Sequence, residues 1–534
     1  MNSEDGKSDI EKPRPERPVA VDPSNEAIHE DLFNVSDGDA VLAKKMALLN
    51  AALDDIGMTW YHWKLFCLNG FGYAVDSLLI VCQTVAQPQV ELQYPRADRI
   101  RGISVASSVG LFVGAVFWGM GADIIGRRVA FNTSLFVCAI FVVIAGAMPS
   151  YLSFAAMVAI YSAGSGGNYV LDATTLHEFL PRKMAFLTTV MAVWWGVGYT
   201  VTGLFAWVYM SKFSCARADT CEYANNKGWR YLHYTAGSLV IVCALLRLAV
   251  TKMEHTPKWL LTQGRDREVI LVLNKIASSN ERVHSLTLEQ LEGLGVVQDD
   301  YKRAKHIPRR TFQHIVGLFK TKKLAYSTTL LFFLWILIGI ANPLYAVFRP
   351  YYLKTRGYMP GETASIYITW RNYAIANICG LVGPFLTWPL LNSRYVGRRG
   401  TLAIGALLTM IFLFAYTQVV TADQNFAISC VISAVENMLF GSLYGITPEL
   451  LPTASRGTGY GLAVAINRIC NVIASLIGSY ANVETTAPLF VCASFYGGMV
   501  IVSMMLPFES DTHTPVGYIA GGGSDSHQRN EPVT

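Results

Sequence analysis

From about residue 65 onward the chain alternates between long apolar stretches and short polar connections. Apolar runs lie at 65–86, 102–122, 130–148, 151–172, 185–209 and 231–251. Six more follow at 325–347, 363–391, 400–420, 425–446, 457–480 and 487–507. About 20 helical residues cross the hydrocarbon core of a bilayer, and a backbone in lipid must satisfy its own polar groups, so each run predicts a transmembrane helix. The expected class is an all-α membrane protein of twelve transmembrane helices in two pseudo-symmetric six-helix bundles, at 60–251 and 325–507. Residues 1–59, with Pro13, Pro15 and Pro18 followed by acids, read as a disordered cytoplasmic tail. A short amphipathic helix around Val41–Leu53 is the alternative there. The polar segment 252–324 is expected to be a cytoplasmic loop carrying short helices at Glu268–Ile276 and Leu286–Leu294, and 508–534 a cytoplasmic C-tail.

The halves repeat each other. Gly119-Met120-Gly121-Ala122-Asp123-Ile124-Ile125-Gly126-Arg127-Arg128 closes the second run and opens the third. A shift of 271 residues carries Gly126, Arg127 and Arg128 onto Gly397, Arg398 and Arg399, and also Glu178 onto Glu449 and Pro181 onto Pro452. Five identities at one offset are the signature of a duplicated unit. Asp123 has no acidic counterpart, because Arg394 stands at the shifted position. Cationic loops stay on the cytoplasmic side during insertion. Outside the 252–324 loop, Lys and Arg are divided almost evenly between the two sides, so the short Arg-Arg turn decides the orientation and puts both termini inside.

Composition agrees with lipid as the solvent: 52% of the 534 residues are hydrophobic and only 15% charged, with a mean hydropathy of +0.33, against about 25% charged in soluble domains. The net charge of +5 lies mainly in loops, which argues against nucleic acid as a partner. Ten cysteines without CxxC or Cys/His ligand spacing argue against a metal site. Cys215 and Cys221 share a polar outer loop and are candidates for a disulfide. Neither a nucleophile triad nor a nucleotide-binding glycine loop is present, so neither an enzyme nor an ATP-driven pump is expected, and no cofactor.

With these residues quoted, the chain resembles the major facilitator superfamily over about 60–508, the Gly119–Arg128 stretch matching that family's loop-2/3 motif. Glu254-His255-Thr256-Pro257-Lys258-Trp259-Leu260 resembles the sugar-porter PESPRWL sequence, and Tyr444–Pro452 with Arg456-Gly457 resembles the same group's helix-10/11 junction. The glutamines that bind hexoses in helices five and seven are missing, which disfavours a hexose carrier. Gly166–Glu178 is similar to the helix-four signature of proton–phosphate symporters, with Asn168 in place of its acid, Val170 of its proline and Asp172 of its serine. Asn69–Asp76 with Glu178-Phe179-Leu180-Pro181 looks closest to the synaptic-vesicle-protein-related branch, which has fungal members. The resemblance implies alternating-access transport of a small solute by a monomer, in the plasma membrane or an internal, vacuolar one.

Ionisable groups at membrane depth are costly and usually face a cavity or a partner. Asp76 shares one helical face with Asn69, Gly72 and Gln83 and reads as a proton-coupling carboxylate or as an acid fixed to an arginine. Glu436 is a second carboxylate of that kind. Arg468, beside Asn467 and one turn from Asn471, reads as an anion clamp or a counter-ion. Arg371 enters its helix at the outer mouth, and Arg247, a turn from a helix end, is expected to snorkel to the inner interface. Trp194, Trp195 and Tyr199 are positioned to stack on a flat substrate, and Asn342-Pro343 to break helix seven. The binding candidates are thus Asn69, Gln83, Asn168, Trp195, Tyr199, Asn342, Arg371, Asn467, Arg468 and Asn471, with Asp76 and Glu436 the proton-coupling candidates. Asp123, Arg127, Arg128, Asp172, Glu178, Arg182, Arg398, Glu449 and Arg456 are the gating candidates, the acids and bases at the inner helix ends pairing while that side is shut. The expected function is proton-coupled symport of a small organic anion. Alternatives are a phosphate or phosphoester symporter, an uncoupled facilitator, and a transport-inactive receptor.

Overall fold

A computed structural model describes residues 37–94, 102–125, 127–181, 184, 186–215, 221–250, 255–296, 315–355, 366–391, 393, 395–419, 421–451, 456–480 and 487–507. Ahead of the first bundle lies α1 (Asp37–Ile56). The first bundle comprises α2 (Trp60–Gln93), α3 (Gly102–Ile125), α4 (Arg127–Gly146), α5 (Tyr151–Ser165), α6 (Asn168–Phe179), α7 (Leu187–Val190), α8 (Ala192–Met210) and α9 (Gly228–Val250). The central segment holds α10 (Pro257–Thr262), α11 (Asp266–Ser278) and α12 (Leu288–Gly293). The second bundle comprises α13 (Lys322–Thr355), α14 (Ile366–Gly380), α15 (Val382–Leu391), α16 (Gly397–Tyr416), α17 (Ala422–Leu450), α18 (Arg456–Tyr480) and α19 (Ala487–Met505). Every predicted run is helical, and the described residues contain no strand.

Eight of these helices are long and apolar enough to cross a membrane, and three shorter apolar ones accompany them. With α9 they account for the twelve runs, some of which are broken. The fourth run splits into α5 and α6 at Gly166-Gly167, where neither glycine could carry a side chain: a Cβ on Gly166 would lie 2.4 Å from the Leu111 carbonyl, and one on Gly167 2.1 Å from Trp118. Such contacts let helices approach backbone to backbone where there is no hydrophobic force between them. The expected break at Asn342-Pro343 does not occur, and α13 runs straight through it. The second copy of the turn motif behaves as its glycine requires. Gly397 opens α16 at φ +58°, a left-handed conformation that side-chain-bearing residues adopt rarely. The halves meet chiefly where α3 packs on α18 and α8 on α14.

The N-terminal region differs from a featureless tail. Residues 37–56 are helical, and Leu49, Ala52, Leu53 and Ile56 are buried, covered by α10 and α11. The sequence carries both halves of that contact at helical spacing, since α11 buries Val269, Val272, Leu273 and Ile276. Lys45, almost wholly buried, closes the contact with a 2.5 Å ion pair to Asp266. On the opposite side of the bundle, Cys215 and Cys221 are joined, with Cα atoms 5.4 Å apart. Residues 1–36 and 508–534 lie outside the described residues.

Candidate functional site

The polar centre is organised by α2, whose apolar length holds a fully buried carboxylate, Asp76. The Ser165 hydroxyl at the end of α5 donates to its Oδ1. Its Oδ2 faces the other half of the molecule, 3.8 Å from the Arg468 guanidinium on α18. Arg468 is itself buried, and its Nε has no hydrogen-bond acceptor among the described residues. Neighbouring amides fix α18 against α13: Asn467 donates to the Trp335 carbonyl at 3.2 Å, and Asn471, with its nitrogen turned that way, to the Gly339 carbonyl at 2.7 Å. Two turns before Asp76 on the same face, Asn69 is fully buried with neither amide atom hydrogen-bonded to the described residues. An unpartnered buried amide costs about 1–3 kcal/mol, so its persistence marks a place where something else can bind. Gln83, on the far side of Asp76, donates to Thr84 at 3.0 Å and leaves its carbonyl oxygen unpartnered.

The second carboxylate has different surroundings. Glu436 on α17 is half-buried and accepts from Tyr496 at 2.9 Å and from Asn342 at 3.3 Å. Both donors belong to the second bundle, while Tyr199 of the first bundle lies close enough to feel the charge of this carboxylate. Arg468 stands near Asp76, across the interface.

A second buried ion pair was not read from the sequence. Arg247 does not snorkel to a surface: it is 2% exposed and its Nη2 donates to Asp172 Oδ1 at 2.6 Å. Both groups lie within two turns of the same membrane face, one on α6 and one on α9, and that shared depth is the signal that could have paired them. A buried arginine without a counter-ion would cost several kcal/mol, so the partner decides where it goes. Gly72 on α2 lies against the free Asp172 oxygen, and a Cβ there would come within 1.6 Å of it.

Beside the polar centre, toward the face that carries the central segment, aromatic side chains from both halves form a layer. Tyr444 lies between Trp335 at 5.0 Å and Trp195 at 6.1 Å. Trp195 lies 6.1 Å from Tyr199, and Trp335 6.1 Å from Tyr460. Trp194 turns away instead, onto Phe71 at 5.5 Å. Farther toward the same face the halves touch: a Cβ on Gly445 would lie 1.8 Å from Thr189, and Phe186 stacks on Trp388 at 5.9 Å. Glu449 pairs there with Arg398 of the repeated turn motif. That is a partner different from Arg456, the base expected at that helix junction.

The remaining candidates stand apart. Asn168 accepts from Ser134 within the first bundle. Arg371 bonds its neighbour Asn372 at 3.2 Å. Glu178 is buried at the end of α6. Asp123, Arg127 and Arg128 belong to α3 and α4, but their side chains, like Arg182 altogether, lie outside the described residues.

Comparison with known proteins agrees with this architecture. Residues 71–475 match the Major Facilitator Superfamily model. The Major facilitator-type transporter hxnZ of Emericella nidulans is 36% identical, over 92% of this chain and 91% of its own. The MFS siderochrome iron transporter 1 of Ceriporiopsis subvermispora is 37% identical, over 90% and 93%. Among solved structures, the proton:xylose symporter XylE aligns over 86% of this chain and 98% of its own, with a TM-score of 0.62 at 16% identity. The matched span takes in both halves and every residue of the polar centre except Asn69 and Tyr496, and the protein belongs to the major facilitator superfamily of membrane transporters.

Proposed function

We propose that the protein is a proton-coupled symporter of a small, flat organic anion, working by alternating access in the plasma membrane. The observation that carries this reading is the Asp76–Arg468 contact, 3.8 Å long and joining the two bodies that must rock against each other. While Asp76 is ionised it holds the guanidinium across the interface. Once it is protonated the attraction is gone, and the planar fork of Arg468 is free to take a carboxylate or similar anion. Substrate and proton thus occupy one site in sequence, each taking over the charge the other leaves. Asn69 offers a free donor and acceptor along the same face, and Trp195, Tyr199 and Tyr444 offer a surface on which a planar body can stack. The contact between Thr189 and Gly445 corresponds to a state shut toward the central segment.

The test is uptake into proteoliposomes of a panel of aromatic and aliphatic carboxylates, with and without an imposed pH gradient. Asp76→Asn should abolish gradient-driven accumulation while leaving counterflow exchange intact. Undiminished accumulation by that variant would rule out Asp76 as the coupling site.

A further inference from the structure

Between α1 and α2 the chain bends at Gly57, whose φ of +62° turns the backbone left-handed. Residues 279–285 of the central segment lie alongside this bend and hold both of its arms. Asn280 accepts from the Trp60 N–H at 2.8 Å and Ser279 from the Tyr61 N–H at 3.3 Å, capping the start of α2. Arg282 donates to the Ile56 carbonyl at the end of α1. Ser285 donates to Asp55 Oδ2 at 2.9 Å. The bend has no room for anything more, since even a Cβ on Gly57 would lie 2.7 Å from Arg282.

The geometry points to Ser285 as a phosphorylation site that loosens the C-terminal end of α1 from the central segment. Three features converge on it. Ser285 is exposed, and residues 282–287 form neither helix nor strand, with Val283 86% exposed, so the segment can be drawn out into a kinase cleft. An arginine, Arg282, stands three positions ahead, the spacing that arginine-directed serine kinases read. The acceptor of the Ser285 hydroxyl is a carboxylate, so the modification reverses the sign of the contact. In the reaction the Ser285 oxygen forms a bond to the γ-phosphorus of ATP, the bond from that phosphorus to the β-bridging oxygen breaks, ADP leaves, and the hydroxyl proton passes to the kinase's base. A phosphoserine brings about −1.5 to −2 charge and three acceptor oxygens but no donor toward Asp55. It repels Asp55 and Asp54 and competes with the Ile56 carbonyl for Arg282, because arginine binds phosphate more strongly than a neutral carbonyl. His284 beside it is no substitute cation: burial lowers its pKa, and its Nε2 is 2.9 Å from Asn274 Oδ1. Both holds on the end of α1 are lost together, while the Asn280 and Ser279 caps on α2 remain. Access of the kinase in the cell rests on the cytoplasmic placement of segment 252–324.

The experiment uses the full chain in lipid nanodiscs, incubated with Mg-ATP and an arginine-directed serine kinase. Peptide mass mapping should find phosphate on Ser285 and none at that position in Ser285→Ala. Hydrogen exchange of the amides of 45–56 should rise about ten-fold on phosphorylation. Ser285→Ala, which loses one exposed hydrogen bond, should stay within about two-fold of the unmodified protein, and Asp55→Asn should blunt the response of the phosphorylated protein. An unmodified Ser285, or a phosphorylated protein whose α1 remains as protected as before, overturns the proposal. A Ser285→Ala variant that exchanges as fast as the phosphorylated protein overturns it too. The readout is attachment rather than transport, so its failure leaves the reading of Asp76 untouched.

Discussion

Two aspartate–arginine pairs sit inside this bundle, and they differ in what they join. Asp172 and Arg247 lie 2.6 Å apart within the first half. Asp76 and Arg468 lie 3.8 Å apart on opposite halves. The first pair is closed by a direct hydrogen bond between elements that move together, so its charges never need to separate. The second is loose and spans the surface along which alternating access must break contacts. Taking charges out of water costs several kcal/mol per ion, and a protein recovers this either by permanent pairing or by function. On the proposed function, the tight pair is a strut and the loose one the coupling site.

The largest expected effect tests the strut. Arg247→Ala leaves Asp172 buried without its counter-ion and opens a cavity beside it, and should lower unfolding stability by about 3–5 kcal/mol in detergent. Exchanging both partners for uncharged isosteres, Asp172→Asn with Arg247→Gln, should recover most of the loss. If Arg247→Ala melts within about 1 kcal/mol of the unaltered protein, the two pairs are not different in kind.

Arg468→Gln tests the other side of the comparison. It should cut uptake of the transported anion by about ten- to a hundred-fold, the worth of a charge-assisted hydrogen bond. Its effect on stability should stay below about 1 kcal/mol, because the 3.8 Å contact to Asp76 is not a direct hydrogen bond. Transport kinetics beside a thermal melt separate the two. Uptake retained together with a large loss of stability would make Arg468 a second strut.

Arg398→Gln tests an ion pair at the inner end of the second half. Arg398 is partly exposed and Glu449 belongs to the same half, so their bond is worth about 1 kcal/mol in stability and its loss should move the balance between open and shut states by less than about two-fold. Alkylation of a cysteine placed at Thr189, which packs on Gly445 across the halves, should stay within that factor. The repeat carries Arg398 and Glu449 onto Arg127 and Glu178, so Arg127→Gln should have an equally small effect.

The twelve runs were legible because lipid forces every spanning segment to be apolar and helical, whatever its neighbours. Asp76 and Arg468 were legible for the complementary reason, since charge stands out against that background. Partnership was not. Arg247 reads from its own helix as a snorkelling residue, and only the fold reveals Asp172 at the same depth. The apolar stripe of α1 was visible at Val41–Leu53, but its partner stripe on α11 lies more than 200 residues away. Helix α13 continues through Pro343 because a proline removes one hydrogen bond, which neighbouring groups in a bundle can tolerate.

The smallest effect concerns the carboxylate that matched Asp76 in sequence and does not match it in place. Glu436 accepts from Tyr496 and Asn342 inside one half, a pattern closer to the strut than to the coupling site. Tyr496→Phe removes one of these donors and should lower stability by about 0.5–1.5 kcal/mol. The pH dependence of uptake should stay where it was, because the hydrogen bond removed lies within one half. A displaced pH profile in Tyr496→Phe would mean that Glu436 exchanges the proton, and the contrast between intra-half and inter-half contacts would no longer predict which charge does the coupling.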